Sequence, residues 1–385
     1  MGGRAALRSL QRTGLEALVH LAARRAPSLP EPPRDPESIF VLRNNDVGDL
    51  LVITPLFEAL RRRFPRARIA AGIGDWNRDV LLHNPHLSEV LPVNAPWFNK
   101  YAGRQRPRSY LRTSPEVRAL ASRRFEIGID VLGSTWGSLL LMKAGIPYRI
   151  GVRGYAGGHS GAQATVPFDP DLHVGRAALR VAELLGATDL PENRPQIFLT
   201  AEEKEAAERA WDAAGPGERI VIGPGAGLPG KGWPLRNYTE LAASLPGDSS
   251  ILVLGGLHDD EAVSEIAAAH PRAWHPPQPP PLRHVFALVA AADRVLCNSS
   301  MLMHAAAAFA RPTLVLLGES FPSARQHQRQ WGYPGVCRSL GKEAGERGVV
   351  YAPEEVLKEL RAYPSGPERP ATRSFPPLDE IEPVA

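Results

Sequence analysis

The sequence predicts an α/β protein of two domains, each built on a parallel sheet with helices on its faces and set across a cleft from the other. Three observations lead there. Short apolar runs of strand length alternate with segments whose apolar residues recur at helical spacing, which is the pattern of βαβ units. Two of those runs, 39–42 and 219–222, break into polar loops containing glycine, as happens at the ligand end of open α/β sheets. The chain has 385 residues, enough for two cores of ordinary size.

Composition narrows the function classes. Hydrophobic residues make up 43% and charged residues 22%, as in an ordinary soluble globular protein. A formal net charge of +4 is too small to imply nucleic acid as a partner. Cys297 and Cys337, the two cysteines, form neither a disulfide framework nor a zinc spacing, which fits a reducing compartment. No apolar run reaches the ~18 residues of a membrane span and the start lacks a secretory signal, so a cytoplasmic location is expected.

Residues 1–38 form an amino-terminal extension in which 4–25 read as an amphipathic helix. Leu7, Leu10, Leu18 and Leu21 share a stripe, with Arg4, Arg8, Arg24 and Arg25 beside it. Such a helix can lie on an anionic membrane surface or pack on the protein itself. Residues 39–64 read as strand, tight loop and helix. Asp49 stands at the helix entrance facing the cleft, where a carboxylate can accept a proton, and Asp46 or Asp49 can equally serve as a helix cap. Arg61, Arg62 and Arg63 suit the carbonyl end of that helix. A strand at 68–73, a short helix at 79–83 and a strand at 90–93 continue the alternation.

Residues 95–113 interrupt it, because aromatic and basic residues crowd together there without a period. Guanidinium groups fork onto carboxylates or phosphates, and aromatic faces cover sugar rings. Trp97, Lys100, Arg104, Arg106 and Arg108 are therefore candidates for holding an anionic saccharide acceptor; a structural insertion or a subunit contact is the alternative. A strand follows at 125–131, then a turn at Gly133, and the glycine-rich 154–161 reads as a mobile loop. Pro191 and Pro195 mark 187–196 as an interdomain linker.

The second half opens with a helix over 202–213 and the strand at 219–222, which runs into the glycine-rich stretch 223–234. Backbone amides there, near Gly225 and Ala226, can approach phosphate oxygens closely, and Lys231 adds a mobile positive charge. After the strand at 251–254 come Asp259, Asp260 and Glu261, with capping by Asp259 as one role. A helix at 282–292 and a strand at 294–297 lead into Asn298, Ser299 and Ser300 and a helix carrying His304. Free amides and hydroxyls at such a helix start form an anion site with His304 one turn on, although a lone helical histidine is also a common structural residue. A strand at 313–317 and a helix at 353–362 complete the pattern. The Pro- and Glu-rich tail, 364–385, is expected to be disordered.

The stretch 43–61, Arg-Asn-Asn-Asp-Val-Gly-Asp-Leu-Leu-Val-Ile-Thr-Pro-Leu-Phe-Glu-Ala-Leu-Arg, resembles the opening motif of glycosyltransferase family 9, the lipopolysaccharide heptosyltransferase family. Residues 144–151 resemble that family's next strand, and 173–186 the long helix closing its first domain. Residues 223–234 resemble its glycine-rich turn with Lys-x-Trp-Pro, and 298–304 its Asn-Asp-Ser-Gly-x-Met-His pattern. Ser299 stands where the family usually has Asp, and Met301 where it usually has Gly, so the donor sugar stays open.

The resemblance implies two Rossmann-like domains in the GT-B arrangement. Residues 39–186 would form the acceptor side and 197–350 the nucleotide-sugar side, with a helix in 351–363 bracing the first domain. It implies inverting transfer of a heptose from ADP-heptose, or another nucleotide-diphosphate sugar, to a saccharide or glycolipid acceptor. Asp49 would act as general base, and Gly225, Ala226, Lys231, Asp260, Asn298, Ser299, Ser300 and His304 would hold the donor. The diphosphate side offers no Asp-x-Asp motif to hold a metal, so neither a metal nor another cofactor is expected to be required. The alternatives are the same mechanism with a different donor, or a non-catalytic protein that binds a nucleotide sugar or a partner.

Overall fold

Residues 38–42, Ser-Ile-Phe-Val-Leu, have no polar face, and a parallel strand covered by helices on both sides needs none. This strand, β1 (Ser38–Leu42), takes the centre of a six-stranded parallel sheet in the computed structural model, which describes residues 14–103, 105–228, 230–256, 258–277, 279–348 and 351–363. Its neighbours are β2 (Arg68–Ile73) and β4 (Ile127–Asp130), with Val41 opposite Ala71 and Ile129. With β3 (Glu89–Pro92), β5 (Tyr148–Arg153) and β6 (Ala164–Pro167), the order is β3-β2-β1-β4-β5-β6.

The second sheet repeats this topology. Its strands are β7 (Arg219–Gly223), β8 (Ser250–Val253), β9 (Ala273–Trp274), β10 (Arg294–Cys297), β11 (Thr313–Leu316) and β12 (Cys337–Leu340), in the order β12-β11-β10-β7-β8-β9. In both sheets the strand order reverses next to the first strand, between β1 and β4 and between β7 and β10. Ligands of open α/β sheets collect beyond the carboxyl ends of the strands at such a reversal. The loops after β1, β7 and β10 are the ones identified from sequence as chemically active.

Several elements differ from expectation. The short helix is a single 3-10 segment at Asp75–Val80, where Asn77 turns inward to the Asn45 carbonyl, and residues 81–83 are not helical. The aperiodic stretch contains a helix at Pro107–Thr113, followed by another at Pro115–Ser122. Loop 154–161 is held: Glu16 accepts hydrogen bonds from the Gly158 amide and the Ser160 hydroxyl. Helix Pro353–Ala362 packs on the second sheet's own layer, its Val356 and Leu360 beside Ile220, Tyr238 and Leu241, rather than bracing the first half. Arg294 secures it there by donating to the Leu360 carbonyl.

The described part of the amino-terminal helix, 14–23, buries Val19 and leaves Leu18 and Leu21 about half exposed. Residues 1–13 and the tail 364–385 lie outside the described residues. Among the described residues no helix is long and apolar enough to cross a membrane.

Candidate active site

The loop after β1 is clamped at Arg43, Asn44 and Asn45. The buried Arg43 donates from its guanidinium to Asp49 Oδ1 at 3.0 Å and to the Asp49 carbonyl at 3.2 Å. Asn44 donates to the carbonyls of Ala95 and Trp97, Asn45 to that of Phe98, and Trp76 and Asn77 donate to the Asn45 carbonyl. Asp46 precedes the short helix Val47–Leu51 without a side-chain capping bond, so capping does not explain it. Burial raises its pKa, with Lys100 opposing and Asp49 adding to the rise. Asp49 uses one carboxylate oxygen on Arg43, and 33% of its side chain remains exposed. A carboxylate fixed on one oxygen and open on the other can receive a proton.

In the second half, Asn298 organises the glycine-rich loop. It is fully buried, and its Oδ1 accepts from the Trp233 amide and the Tyr238 hydroxyl, both at 2.8 Å. Its Nδ2 donates to the carbonyls of Pro224 and Gly225. The side chain expected to touch the donor is therefore consumed inside the protein, holding the glycine-rich loop to the end of β10. Gly225 has no room for a side chain, since a Cβ there would lie 2.5 Å from an Asp259 oxygen. Gly230, at φ +77°, turns the loop so that its carbonyl accepts from Ser320 at 3.0 Å. Lys231 follows, its ammonium 5.8 Å from the Phe321 ring centroid, with no ion pair among the described residues.

Three further candidates have surroundings that the motifs did not announce. Asp260 is exposed, whereas Asp259 turns to the loop: it accepts from the Gly256 amide at 2.7 Å and makes no helix cap. The Ser300 hydroxyl is buried beside the Cys297 thiol, leaving the backbone at the start of helix Met301–Ala308 as its contribution to an anion site. Ser299 bonds to His327 Nε2 at 2.8 Å, and His327 Nδ1 bonds to Ser339 at 2.8 Å.

The halves meet where helix Val47–Leu51 crosses helix Met301–Ala308. There the His304 ring abuts Gly48, one residue before Asp49: a Cβ on Gly48 would lie 3.1 Å from His304 Cδ2. Burial, aided by His173 and His327, lowers the His304 pKa to about 3. Burial likewise lowers His173 to about 4 and, aided by Lys231, His327 to about 4, so all three rings are neutral at physiological pH. His173 is occupied locally, its Nδ1 accepting from the Gly175 amide at 3.0 Å.

Of the acceptor candidates, Trp97 is a core residue. It is 6% exposed and packs edge-on against Tyr110 at 5.4 Å, so its face cannot cover a sugar. Lys100 lies near Asp46 and over the Tyr101 ring, and Arg106 and Arg108 are exposed; Arg104 lies outside the described residues. Exposed aromatic surface in this stretch comes instead from Phe98 and from Tyr101, which is stacked on Trp76 at 5.3 Å. The chain also contains one Asp-x-Asp triplet, Asp169-Pro170-Asp171, which lies against helix Ala324–Trp331. Asp169 accepts the Asp171 amide at 2.9 Å, and Asp171 pairs with Arg329 at 3.5 Å, so the triplet closes a turn.

The family model for glycosyltransferase family 9 (heptosyltransferase) matches residues 116–331. The chain belongs to glycosyltransferase family 9. This glycosyltransferase is 29% identical to lipopolysaccharide heptosyltransferase 2 of Salmonella typhimurium over 348 residues, covering 84% of its own chain and 97% of the relative. It is 28% identical to the protein of the same name from Escherichia coli, with the same coverage. Among solved structures, the E. coli ADP-heptose lipopolysaccharide heptosyltransferase II superposes with a TM-score of 0.65 at 25% identity, over 85% of this chain and 98% of that one. A family 9 glycosyltransferase from Veillonella parvula superposes with a TM-score of 0.70 at 20% identity, over 87% and 99%. The two sheets of this glycosyltransferase thus form the GT-B fold. Sequence reading singled out neither Arg43, although it stands in the same motif as its partner Asp49, nor His327 and Tyr333, whose partners Ser299 and His304 lie in a different motif.

Proposed function

We propose that this glycosyltransferase moves heptose from ADP-heptose to the saccharide of a lipopolysaccharide-type acceptor, with inversion at the anomeric carbon and without a divalent metal. The observation that carries the reading is Asp49, tied to Arg43 by one oxygen and open on the other, in the short helix that meets the nucleotide-side helix. The relatives named for heptose transfer supply the sugar and the acceptor class. The acceptor hydroxyl loses its proton to the free Asp49 oxygen while its own oxygen bonds to the anomeric carbon. The bond to the diphosphate breaks on the opposite face. Lys231, amides near Gly225 and Ala226, and the helix start after Ser300 meet the charge that builds on departing ADP. Lys100, Arg106 and Arg108 suit an anionic acceptor. Leu18 and Leu21, with Arg24 and Arg25, suit peripheral contact with the cytoplasmic face of an anionic membrane.

A donor other than heptose is the second reading, favoured by Ser299, whose hydroxyl is already engaged by His327. Calorimetric titration with ADP, UDP, GDP and ADP-heptose in EDTA separates the readings. Selective ADP binding that tightens with the sugar attached supports heptose transfer. Preference for another nucleotide replaces the donor, and binding of none removes the catalytic reading.

A further inference from the structure

His304 is 5% exposed and is enclosed on one side by aromatic rings. Its Nδ1 lies 2.7 Å from the Tyr333 hydroxyl, and the rings of Trp331 and Tyr333 stand edge-on to it at 6.0 and 5.8 Å. Its other edge faces Gly48, where a Cβ would lie 3.7 Å from Nε2. Among the described residues Nε2 has no hydrogen-bond partner, and it is not one of the enclosed polar atoms left without one.

A neutral imidazole has one N–H and one lone pair, so the Tyr333 contact decides which of them points at the cleft. In one arrangement the Tyr333 hydroxyl donates to Nδ1, which leaves the proton on Nε2. In the other, Nδ1–H donates to the Tyr333 oxygen and the tyrosine proton has nowhere to go. Tyr333 is 2% exposed and its hydroxyl has no other acceptor among the described residues. An unmade hydrogen bond at a buried hydroxyl disfavours the second arrangement by roughly tenfold or more.

We infer that Tyr333 is a positioning residue that fixes His304 as its Nε2–H tautomer, so that the cleft beside Gly48 meets a neutral hydrogen-bond donor. Resting on the glycosyltransferase reading, the group this donor serves is an anionic oxygen of the bound nucleotide-sugar diphosphate. The opposite tautomer would turn a lone pair towards that oxygen and repel it. His304 then acts by donating a hydrogen bond and does not transfer its proton, because the buried ring resists becoming charged.

The test needs no ligand for its first half. Protein labelled with ¹⁵N at histidine, with His304 signals assigned by their loss in His304→Gln, shows by long-range ¹H–¹⁵N spectra which ring nitrogen carries the proton. The expected native spectrum has Nε2 protonated and Nδ1 bare, and Tyr333→Phe mixes or inverts the two. A native Nδ1–H overturns the inference even if Tyr333→Phe fails to fold, and so does an unchanged tautomer in a folded Tyr333→Phe. In the second half, ADP titration of Tyr333→Phe should show binding weakened roughly tenfold, the value of one hydrogen bond to a charged group. A shifted tautomer with ADP affinity kept within about twofold overturns the diphosphate role. If ADP does not bind the native protein, the functional reading falls, while the spectra still decide the part played by Tyr333.

Discussion

Replacing Asn298 with alanine should separate the nucleotide loop from the sheet that carries it. The substitution removes four hydrogen bonds, to the Trp233 amide, the Tyr238 hydroxyl and the carbonyls of Pro224 and Gly225. Two donors are orphaned where solvent does not reach, since Tyr238 is fully buried and Trp233 nearly so. Each orphaned donor costs about 1–3 kcal/mol, and carbonyls tolerate the loss better, so unfolding free energy should fall by about 4 kcal/mol. A domain of ordinary stability, about 5–15 kcal/mol, survives that loss and can be studied. Urea denaturation followed by tryptophan fluorescence measures the change. ADP titration of the folded variant should show binding weakened at least about tenfold, because the loop bearing Lys231 has lost its tether. A loss under about 1 kcal/mol together with native ADP affinity would refute the assignment of Asn298 as the organiser of that loop.

Asp49→Asn keeps the shape and a carbonyl oxygen for Arg43 but removes the proton acceptor. Turnover should drop by about 10²–10⁴ while ADP affinity stays within about twofold, and unchanged transfer in a product assay would take Asp49 out of the base role. Gly48→Ala brings a methyl group to 3.1 Å from a His304 ring held in place by Tyr333. It should cost about 1–2 kcal/mol and slow transfer, whereas a native melting midpoint would mean that the ring gives way. Burial holds His173, His304 and His327 at about 4, 3 and 4, against 6.5 for an ordinary histidine. As pH falls below 6.5 the unfolded chain takes up protons that the folded chain refuses. Stability from these groups is therefore whole above that value and is lost towards pH 4, by up to about 1.4 kcal/mol per pH unit for each ring. Chemical denaturation across this range measures the slope; His304→Gln should flatten it by one proton, and identical slopes would remove His304 from the account.

Where a segment's chemistry is local, its structure was legible. Strand Arg294–Cys297 and helix Pro353–Ala362 lie where periodicity puts them, because one is apolar after its first residue and the other carries a clean helical stripe. Strands Ala164–Pro167 and Cys337–Leu340 sit at sheet edges and mix polar with apolar residues, so no pattern announces them. Helix Pro107–Thr113 is hidden by arginines, since only Tyr110 of its seven residues is buried. The site divides the same way. Asp49 follows its own strand directly, whereas Asn298 reaches Pro224 across 74 residues and His304 reaches Tyr333 across 29. A motif can name residues that meet a ligand, but it does not say which neighbour already occupies their hydrogen-bonding groups. That is why the engagement of the Asn298 side chain and the enclosure of the Ser300 hydroxyl could not be read from the motif.

The last helix, packed on the sheet made just before it, has a consequence for the order of assembly. Every strand of the first sheet lies between residues 38 and 167 and every strand of the second between 219 and 340, with no exchange between them. Synthesis therefore delivers one sheet in full before the first strand of the other emerges, and domains generally fold in that order during translation. The nascent chain holds Asp49 already braced by Arg43 while Lys231 is still unmade. Through that interval the face of helix Val47–Leu51 that will receive Met301–Ala308 stands uncovered, a surface for chaperones to shield until the second sheet arrives.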